Sequence, residues 1–346
     1  MGQKKRLIVF TLYDDEGASS QYRTFIFKDV LNRRFHTKWF HFWDNTYATK
    51  YMHNKKKYAV QICFQYIKNS IKRWLQFETL TPKADVIYIQ KATIPKCKIL
   101  FLNRAKKAET RIVFDVDDAI YVFPHDNSGE IAKIADTVIC GNKTLAKYYS
   151  KFNKDIRVLP TVENTYYYEP FWRDTFDRKV IVWIGSKTTV NNLEIIKAPM
   201  NRFIEKHPEV EFHIISNDDC GYAQKIKNTK LILWNKNTYH KELAEATIGI
   251  MPLEDNELTR GKCGFKLIQY LNMKKPVIGS GVGVNSEIIN GNGIVANTEN
   301  EWDVAFEKIL YNRKYYDSCV RHIEDDFFDK YHFEKVSQEL VRILDE

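Results

Sequence analysis

The sequence lacks long apolar runs and paired cysteines. No stretch approaches the roughly 20 consecutive apolar residues that a membrane-spanning helix needs. The apolar run that follows the basic residues 1–6 is too short for a secretory signal. The six cysteines include no CxxC motif and no histidine at ligand spacing, which argues against a disulfide framework and a zinc site. We therefore expect a cytoplasmic protein with free thiols.

Acidic residues are scarce in the first third of the chain. Residues 1–110 contain 22 Lys and Arg against 8 Asp and Glu, a net charge of +14. The whole chain is +9, so residues 111–346 sum to −5. This division predicts different partners for the two halves. An anionic surface, either a membrane or a nucleic acid, suits the basic half.

The apolar pattern predicts two α/β domains, and 346 residues are enough for two. Short apolar runs typical of buried strands alternate with segments of helical periodicity in both halves. Such alternation predicts a parallel, doubly wound sheet in each domain. The predicted strands are residues 6–12, 85–90, 111–114 and 137–140 in the first half and 180–184, 211–215, 230–234, 247–251 and 276–279 in the second.

The domain boundary is predicted between these two series of strands. Residues 160–179 are rich in aromatic residues, charges and prolines, show no clear period, and predict an interdomain linker. Residues 331–344 form a final amphipathic pattern, and in a twin-domain architecture we expect this helix to cross back onto the first domain. The predicted divisions are residues 1–165, 166–328 and 329–346.

The most informative segment is residues 259–283. Arg260, Lys262 and Lys266 lie just before and within the first turn of a predicted helix, and Gly264 lets backbone N–H groups face outward. A helix N-terminus with cations beside it is suited to a diphosphate. The alternative is a solvated basic turn beside a glycine-rich loop, because short motifs are weak evidence alone.

Two further loops follow predicted strands. After the strand at 180–184, Gly185, Ser186 and Lys187 favour a phosphate loop. The alternative is a plain strand-to-helix turn that Thr189 caps. After the first strand, residues 17–23 open a helix, so that backbone amides there point into the predicted interdomain cleft. The candidate residues of this loop are Gly17, Ser19, Ser20 and Arg23.

Three carboxylates follow the predicted strand at residues 111–114, in the sequence FDVDDAIY. One hypothesis is a DxD motif that binds a divalent cation. A second is an N-cap cluster of solvated charges. We favour a third, in which the carboxylates face the cleft without a metal and raise one another's pKa. Among the three, Asp117 and Asp118 rank above Asp115.

The segment 259–283, with the preceding IGIMPL at 248–253, resembles the donor-binding signature of family 4 glycosyltransferases of GT-B fold. That family holds its nucleotide sugar with a run of the form E-x7-E-A-x-A-x-G-x-P-V. Here Gly261 stands at the first glutamate position and Gln269 at the second. Gln269 retains hydrogen-bonding capacity for a ribose hydroxyl, and Glu257 is a displaced candidate for the first glutamate.

The resemblance implies two Rossmann-like domains that face each other across a cleft. The N-terminal domain would present the acceptor through the 17–23 loop, and the C-terminal domain would bind the donor. It further implies transfer with retention of anomeric configuration, without a cofactor or a metal. The implied catalytic residues are Asp117, Asp118 and Glu257. The implied donor-binding residues are Gly185, Ser186, Lys187, Arg260, Lys262, Gly264, Phe265, Lys266 and Gln269.

Residues 50–76 contain seven basic residues and no acidic ones. Their apolar residues follow i, i+3, i+4, i+7 spacing, which predicts an amphipathic helix suited to an anionic membrane surface. The alternative is a helix that packs its apolar stripe onto the N-terminal sheet and leaves its lysines solvated. Nucleic acid is a weaker alternative, because no known binding module is present.

The resulting hypothesis is a cytoplasmic enzyme, peripheral on the inner face of the cell membrane. It would transfer a sugar from a UDP- or GDP-type donor to a glycan or lipid-linked glycan in cell-surface polysaccharide biosynthesis. Two alternatives remain open. One is a nucleotide-sugar epimerase of the same fold, and the other is a non-catalytic protein of this fold that binds sugar or nucleic acid.

Overall fold

The computed structural model describes residues 3–51 and 54–346. For residues 48 and 49 it describes the backbone but not the side chains. The chain divides into two units. Unit 1 comprises Met1–Thr161 and Glu334–Glu346, and unit 2 comprises Val162–Phe333. Among the described residues, no helix has the length and apolar content to cross a membrane.

Unit 1 contains a six-stranded parallel sheet in the order β2-β1-β3-β4-β5-β6. All four strands predicted for this half are present, and their central residues are buried on both faces of the sheet. The edge strands β2 and β6 have partly exposed residues, and the apolar pattern does not reveal them. The strands are β1 Arg6–Tyr13, β2 His36–Trp43, β3 Val86–Gln90, β4 Arg111–Val116, β5 Thr137–Cys140 and β6 Ile156–Val158.

The helices of unit 1 follow the strands in the alternating order of a doubly wound sheet. They are α1 Ala18–Arg23, α2 Lys28–Arg34, α3 Ala59–Thr79, α4 Asn103–Lys107, α5 Ser128–Ile134 and α6 Lys143–Tyr149. A 3-10 turn at Phe25–Phe27 separates α1 from α2.

Unit 2 contains a second six-stranded parallel sheet, in the order β12-β11-β10-β7-β8-β9. Successive residues of β7 alternate between two buried clusters: Ile181 and Trp183 belong to one, and Val180 and Val182 to the other. The sheet is therefore covered on both faces, which explains its continuous apolar runs. The strands are β7 Val180–Ile184, β8 Glu211–Ser216, β9 Thr229–Leu233, β10 Ile248–Met251, β11 Val277–Gly279 and β12 Gly293–Val295.

The helices of unit 2 are of very unequal length. They are α7 Glu194–Lys206, α8 Tyr222–Lys225, α9 Tyr239–Ala244, α10 Glu257–Arg260, α11 Phe265–Asn272, α12 Asn285–Ile289, α13 Glu299–Tyr311, α14 Arg313–His322 and α15 Phe328–Tyr331. The segment 162–179 contains three 3-10 turns, and Tyr168 from this segment lies in the core cluster of unit 2.

The last helix, α16 (Phe333–Asp345), belongs to unit 1 from Glu334 onward. Leu340 and Leu344 are fully buried, and the terminal residues accept charged hydrogen bonds from arginines of the N-terminal sheet. Arg111 and Arg157 both pair with Glu346, at 3.5 and 3.3 Å. The prediction of a terminal helix that returns to the N-terminal part of the chain is confirmed.

Helix α3 has the predicted amphipathic pattern, and its apolar stripe faces solvent. Its apolar stripe is exposed, with Val60 79%, Phe64 71% and Ile67 53% accessible, so the alternative in which this stripe packs onto the sheet is wrong. The opposite face is buried through Phe77 and Arg73. Residues 52 and 53 of the basic segment 50–76 lie outside the described residues.

Candidate functional site

Polar side chains from three elements meet at the carboxyl ends of β1, β3 and β4 in unit 1. Open α/β sheets bind ligands at this edge. Gln90, the last residue of β3, accepts hydrogen bonds from the backbone N–H of Leu12 at 3.1 Å and from Ser20 Oγ at 3.0 Å. Its amide nitrogen donates to Ser19 Oγ at 2.8 Å. Gln90 therefore fixes the start of α1 relative to the sheet.

The predicted loop and the predicted carboxylate cluster meet at Ser19 and Asp117. Ser19 Oγ donates to the Asp117 carboxylate, 2.7 Å from Oδ2 and 3.0 Å from Oδ1. The Asp117 side chain keeps 11% of its surface exposed, and that of Asp118 keeps 33%. Ser20 is buried and donates to Gln90, so it supports the loop from within. The structure thus brings Ser19 together with Asp117 and Asp118, which lie almost 100 residues further along the sequence.

Arg23 and Asp115 form a buried, bidentate ion pair beneath this surface. Arg23 Nε lies 3.0 Å from Asp115 Oδ1, and Nη2 lies 2.6 Å from Oδ2. Tyr88 donates to the same carboxylate at 3.0 Å, and Arg23 also donates to the carbonyl of Leu159. Both partners of the ion pair are almost completely inaccessible. Arg23, predicted to line the acceptor loop, therefore supports that loop from the interior.

Gly17 precedes α1 at a point where a side chain has no room. A Cβ atom there would lie 2.3 Å from Cβ of Tyr13. Glycine therefore allows the loop to pass close to the end of β1.

Lys91 is a residue of this site that the sequence did not single out. It follows β3 directly, is buried, and lies 2.7 Å from Asp118 Oδ2 and 3.2 Å from Asp117 Oδ1 through its Nζ atom. Burial alone would lower the pKa of Lys91, but the carboxylates of Asp117 and Asp118 outweigh it and raise that pKa well above its ordinary value. The ammonium group is therefore permanently charged at physiological pH.

The pKa of Asp117 is shifted upward. Burial is the largest cause, and the neighbouring carboxylate of Asp118 adds to it; Lys91, Arg23 and the Ser19 hydroxyl act in the opposite direction. The expectation that closely spaced carboxylates raise one another's pKa is met at this residue. Asp115 is committed to Arg23 and Tyr88, so the three carboxylates do not form one cluster. Within residues 3–51 and 54–346, no group of three or more His, Cys, Asp or Glu is arranged to hold a metal ion.

In unit 2, Gly185, Trp183 and Lys266 lie together at the carboxyl end of β7. A Cβ atom on Gly185 would lie 2.4 Å from the Trp183 ring and 2.9 Å from Cε of Lys266. The Lys266 ammonium group lies 5.5 Å from the centre of the Trp183 ring. Burial and the charge of nearby Lys262 lower the pKa of Lys266 to about 8. A bound anion would raise this pKa again and stabilise the ammonium form, so the site favours an anionic ligand.

Helix α11 begins at the predicted position, immediately beside these residues. Gly264 caps it with φ of 65°, a left-handed conformation, and a Cβ atom there would lie 2.4 Å from Ile288 Cδ1. Both constraints require glycine. The first turn of this helix forms its positive end.

Two of the predicted phosphate-binding cations are engaged in exposed ion pairs. Lys187 Nζ lies 2.6 Å from Asp218 Oδ2. Arg260 forms a bidentate ion pair with Asp255, in which Nε lies 2.6 Å from Oδ1 and Nη2 lies 3.0 Å from Oδ2. Ser186 Oγ lies 2.8 Å from the Thr188 hydroxyl. Glu257 is exposed in the first turn of α10. That helix begins with a capping box formed by Asn256 and Thr259.

Gln269 lies inside unit 2 and has a carboxylate partner that the sequence did not indicate. Its Nε2 donates to Glu163 Oε1 at 3.1 Å, and the Tyr239 hydroxyl donates to the same oxygen at 2.9 Å. Gln269 is 5% exposed and Glu163 2%. Burial raises the pKa of Glu163 to about 7, against the opposing effect of the hydrogen bonds from Tyr239, Gln269 and Tyr168.

Comparison with known proteins agrees with this architecture. Residues 178–311, less than half of the chain, match the family model described as glycosyl transferases group 1. The matched region contains Gly185, Lys266 and the whole of α11. No curated protein sequence is significantly similar to the chain.

Solved structures of low sequence identity share the fold over 80% or more of the chain. Anabaena Alr3699/HepE in complex with UDP-glucose has a TM-score of 0.68 at 11% identity, covering 98% of this chain and 99% of its own. A UDP-forming α,α-trehalose-phosphate synthase from Burkholderia xenovorans has a TM-score of 0.67 at 10% identity, covering 99% and 100%. S. aureus TarM, a mutant in complex with UDP and α-GlcNAc-glycerol among other ligands, has a TM-score of 0.62 at 13% identity, covering 80% and 59%. With the two parallel sheets, these similarities confirm the predicted GT-B fold.

Proposed function

We propose that this protein is a glycosyltransferase that binds a nucleotide-sugar donor in unit 2 and an acceptor hydroxyl in unit 1. The observation that carries the proposal is the coincidence of two findings. The region similar to group 1 glycosyl transferases is also the region in which a half-buried lysine (Lys266), a glycine with no room for a side chain (Gly185) and the N-terminus of α11 lie together.

The donor diphosphate would bind between Gly185 and the first turn of α11. The absent side chain of Gly185 lets phosphate oxygens approach the end of β7. Lys266 would offset the negative charge that grows on the departing diphosphate, and the N–H groups of α11 would add to this. Lys262 lies near enough to influence Lys266. Lys187 and Arg260 would contribute less, because each already has a carboxylate partner.

Asp117 is the residue best placed to act on the acceptor. It is anchored by Ser19 and Lys91 yet reaches the surface, so an acceptor hydroxyl can donate to its carboxylate. Asp118 is more exposed and would contact the remainder of the acceptor. We keep Glu257, which is exposed beside Arg260, as a candidate contact of the donor sugar.

The finer parts of the proposal rest on the resemblance to family 4 glycosyltransferases. They are retention of anomeric configuration, chemistry without a metal or cofactor, a UDP- or GDP-type donor, and a glycan or lipid-linked glycan acceptor used in cell-surface polysaccharide biosynthesis. The neighbours solved with UDP or UDP-glucose favour a UDP-sugar as the first donor to test.

A turnover assay tests the proposed reaction. The purified protein is incubated with UDP-, GDP- and dTDP-sugars, with and without glycan and lipid-linked acceptors, and released nucleoside diphosphate is measured. Release that rises with an acceptor supports transfer. Conversion of the donor to its epimer supports the epimerase alternative. No turnover together with tight RNA or sugar binding overturns the enzymatic proposal.

We also propose that α3 attaches the protein peripherally to the inner face of an anionic membrane. Val60, Phe64, Ile67, Ile71 and Leu75 form one exposed stripe along about three-quarters of the helix. Lys68 and Lys72 are exposed on the same side, and Lys55, Lys56 and Lys57 are exposed just before the helix begins. An apolar stripe flanked by lysines matches a bilayer interface, where acyl chains lie beneath anionic headgroups.

The buried face of α3 has a separate, structural role. The Arg73 guanidinium donates to the carbonyls of Thr11, Phe40 and Thr93, and it lies 4.8 Å from the centre of the Phe10 ring. Burial lowers the pKa of Arg73 to about 9. Arg73 therefore does not belong to the basic surface predicted from the sequence, which depends on the lysines alone.

Vesicle co-sedimentation tests the membrane proposal. The protein is mixed with vesicles of phosphatidylcholine alone and with vesicles that also contain phosphatidylglycerol. We expect sedimentation with the anionic vesicles that weakens at high salt, because exposed charges are screened. Equal sedimentation with both compositions, or none with either, contradicts an electrostatically assisted membrane surface.

A further inference from the structure

Lys91 combines three features. It is buried, it makes two ion pairs, and its backbone has φ of 66°, in the left-handed region. That conformation is unfavourable for a residue with a Cβ atom, whereas glycine adopts it freely. Strained backbone of this kind persists where the surrounding structure requires it and clusters at functional sites. The side chain, not the backbone, is therefore the reason for a lysine here.

The contacts of Lys91 place its charge against the candidate acceptor site. Its ammonium group bridges Asp117 and Asp118, at 3.2 and 2.7 Å. Ser19 holds the Asp117 carboxylate from the other side, and Gln90 holds Ser19. Asp117 is thereby fixed by neighbours from two other elements: Ser19 of α1 and Lys91, the residue that follows β3.

The charges at this end of the sheet explain why such a cation is needed. Three carboxylates follow each other within four positions of β4 and its loop, and Asp115 is neutralised by Arg23. The remaining two carboxylates share Lys91. Without that cation, two adjacent partly buried carboxylates would repel each other, and one of them would take up a proton.

We propose that Lys91 is a positioning residue whose charge keeps Asp117 an oriented carboxylate that can accept a hydrogen bond from the acceptor hydroxyl. This inference rests on the proposed glycosyl transfer. We assign Lys91 itself no contact with the acceptor, because it is buried whereas Asp118 is more exposed. It acts on the reaction through Asp117.

The titratable groups that face Asp117 come from every element packed around it, and the pH dependence follows from them. They are Lys91, Asp118 and Arg23, with Tyr88 behind the ion pair and Tyr13 near Lys91 and Asp118. Since burial already raises the pKa of Asp117, loss of Lys91 raises it further. Activity that requires the carboxylate is lost as pH falls through that pKa, so the acidic limb of the pH–rate profile must move to higher pH.

Three variants separate charge from folding. Lys91→Met removes the charge and keeps much of the volume. Lys91→Gly removes the charge and relieves the backbone, so it is expected to fold even where the methionine variant does not. Lys91→Arg restores a cation. Lys106→Met is the matched control, because Lys106 pairs with Asp136 on the exterior of unit 1.

The measurement is acceptor-dependent release of nucleoside diphosphate across pH, beside acceptor-free hydrolysis of the same donor. We expect Lys91→Met and Lys91→Gly to lose at least about tenfold of the acceptor-dependent rate near neutral pH. The acidic limbs of their pH–rate profiles should move to higher pH by about one unit or more. Lys91→Arg should recover most of the acceptor-dependent rate and of the wild-type pH profile. Acceptor-free hydrolysis should be unchanged in all the Lys91 variants, and Lys106→Met should behave as wild type. Unaltered pH profiles in folded methionine and glycine variants overturn the proposal.

A second readout does not depend on turnover. The carboxyl carbon of Asp117 is followed by NMR during a pH titration of protein carrying ¹³C-labelled aspartate, with the resonance assigned through Asp117→Asn. Titration at higher pH in Lys91→Gly than in wild type supports the role of Lys91 even if no glycosyl transfer is found. Unchanged titration overturns that role whether or not the protein is a glycosyltransferase.

Discussion

The side-chain amide of Gln269 donates a hydrogen bond to the carboxylate of Glu163, 3.1 Å away, in the interior of unit 2. Glu163 stands 106 positions earlier in the sequence. Gln269 occupies the place where the family resemblance leads one to expect a glutamate, and a carboxylate is nevertheless present beside α11. It is supplied from the segment before β7. The hydrogen bond ties that segment to the helix whose first turn we assign to the donor diphosphate.

Glu163→Gln is expected to change how stability depends on pH. Burial raises the pKa of Glu163 to about 7 in the folded protein, whereas an unfolded glutamate titrates near 4.5. Between these values the unfolded chain releases a proton that the folded protein retains, so the free energy of unfolding falls as pH rises through this window. The variant should lose that part of the slope. Urea denaturation at several pH values measures it.

The matched control for this experiment is Glu169→Gln. Glu169 is exposed in the same segment, so its replacement should leave the pH slope of wild type. If Glu163→Gln shows the same slope as wild type, Glu163 is not protonated in the folded protein.

The ion pair between Arg23 and Asp115 should be essential for the stability of unit 1. Either Arg23→Leu or Asp115→Asn leaves one buried charge unpaired, which costs about 3–5 kcal/mol. The double variant should be more stable than the sum of the two single losses predicts. Urea denaturation of the four proteins gives the coupling energy. A pair that contributes nothing would give additive losses.

Asp117→Asn should abolish most acceptor-dependent transfer without unfolding the protein. Loss of a positioned proton acceptor costs about 10²–10⁴-fold in rate. Asp118→Asn should have a smaller effect, because Asp118 is more exposed than Asp117 and is not held by Ser19. Asp136→Asn, on the exterior of the unit, is the control. Equal losses for Asp117→Asn and Asp136→Asn would refute a role for Asp117 at the acceptor.

Polar substitutions on the exposed stripe of α3 should weaken vesicle binding without loss of stability. Phe64→Ser and Ile67→Ser remove apolar surface that is already in solvent, so thermal denaturation should be almost unchanged. Each buried CH₂ group contributes about 0.8 kcal/mol to insertion at an interface, so the double variant should bind anionic vesicles much more weakly. Phe77→Ser, on the buried face, should instead destabilise the protein. Unchanged vesicle binding by the double variant would exclude this stripe as the membrane contact.

Much of the fold follows from the sequence, because continuous apolar runs specify strands that are buried on both faces. The helix predicted after Gly264 is present as α11, because Gly264 marks its start. Strand β2 was not predicted, because exposed residues such as His36 and Lys38 interrupt its apolar pattern at the edge of the sheet.

The site was predictable only where its residues are local in sequence. Gly185, Gly264 and Lys266 belong to recognisable strand–loop and loop–helix patterns. Lys91 and Glu163 do not, because their partners lie 27 and 106 positions away and only the folded chain brings them together. A lysine directly after a predicted buried strand was the available signal for Lys91.

The central claim is that the diphosphate of a nucleotide-sugar donor binds beside Lys266, and calorimetric titration tests it most directly. The ligands are UDP and GDP, with the monophosphates UMP and GMP for comparison, and the proteins are wild type, Lys266→Met and Lys187→Met. Burial and Lys262 lower the pKa of Lys266 to about 8 in the free protein. Above that pH the free lysine is largely neutral, so binding of an anion there requires Lys266 to take up a proton. Binding should therefore weaken as pH rises through about 8.

We expect wild type to bind at least one nucleoside diphosphate more tightly than its monophosphate, with this pH dependence. Lys266→Met should lose the preference and the pH dependence together, while Lys187→Met should keep both because Lys187 is exposed and paired with Asp218. Failure of wild type to prefer any diphosphate, or an unchanged preference in Lys266→Met, would contradict the proposed donor site.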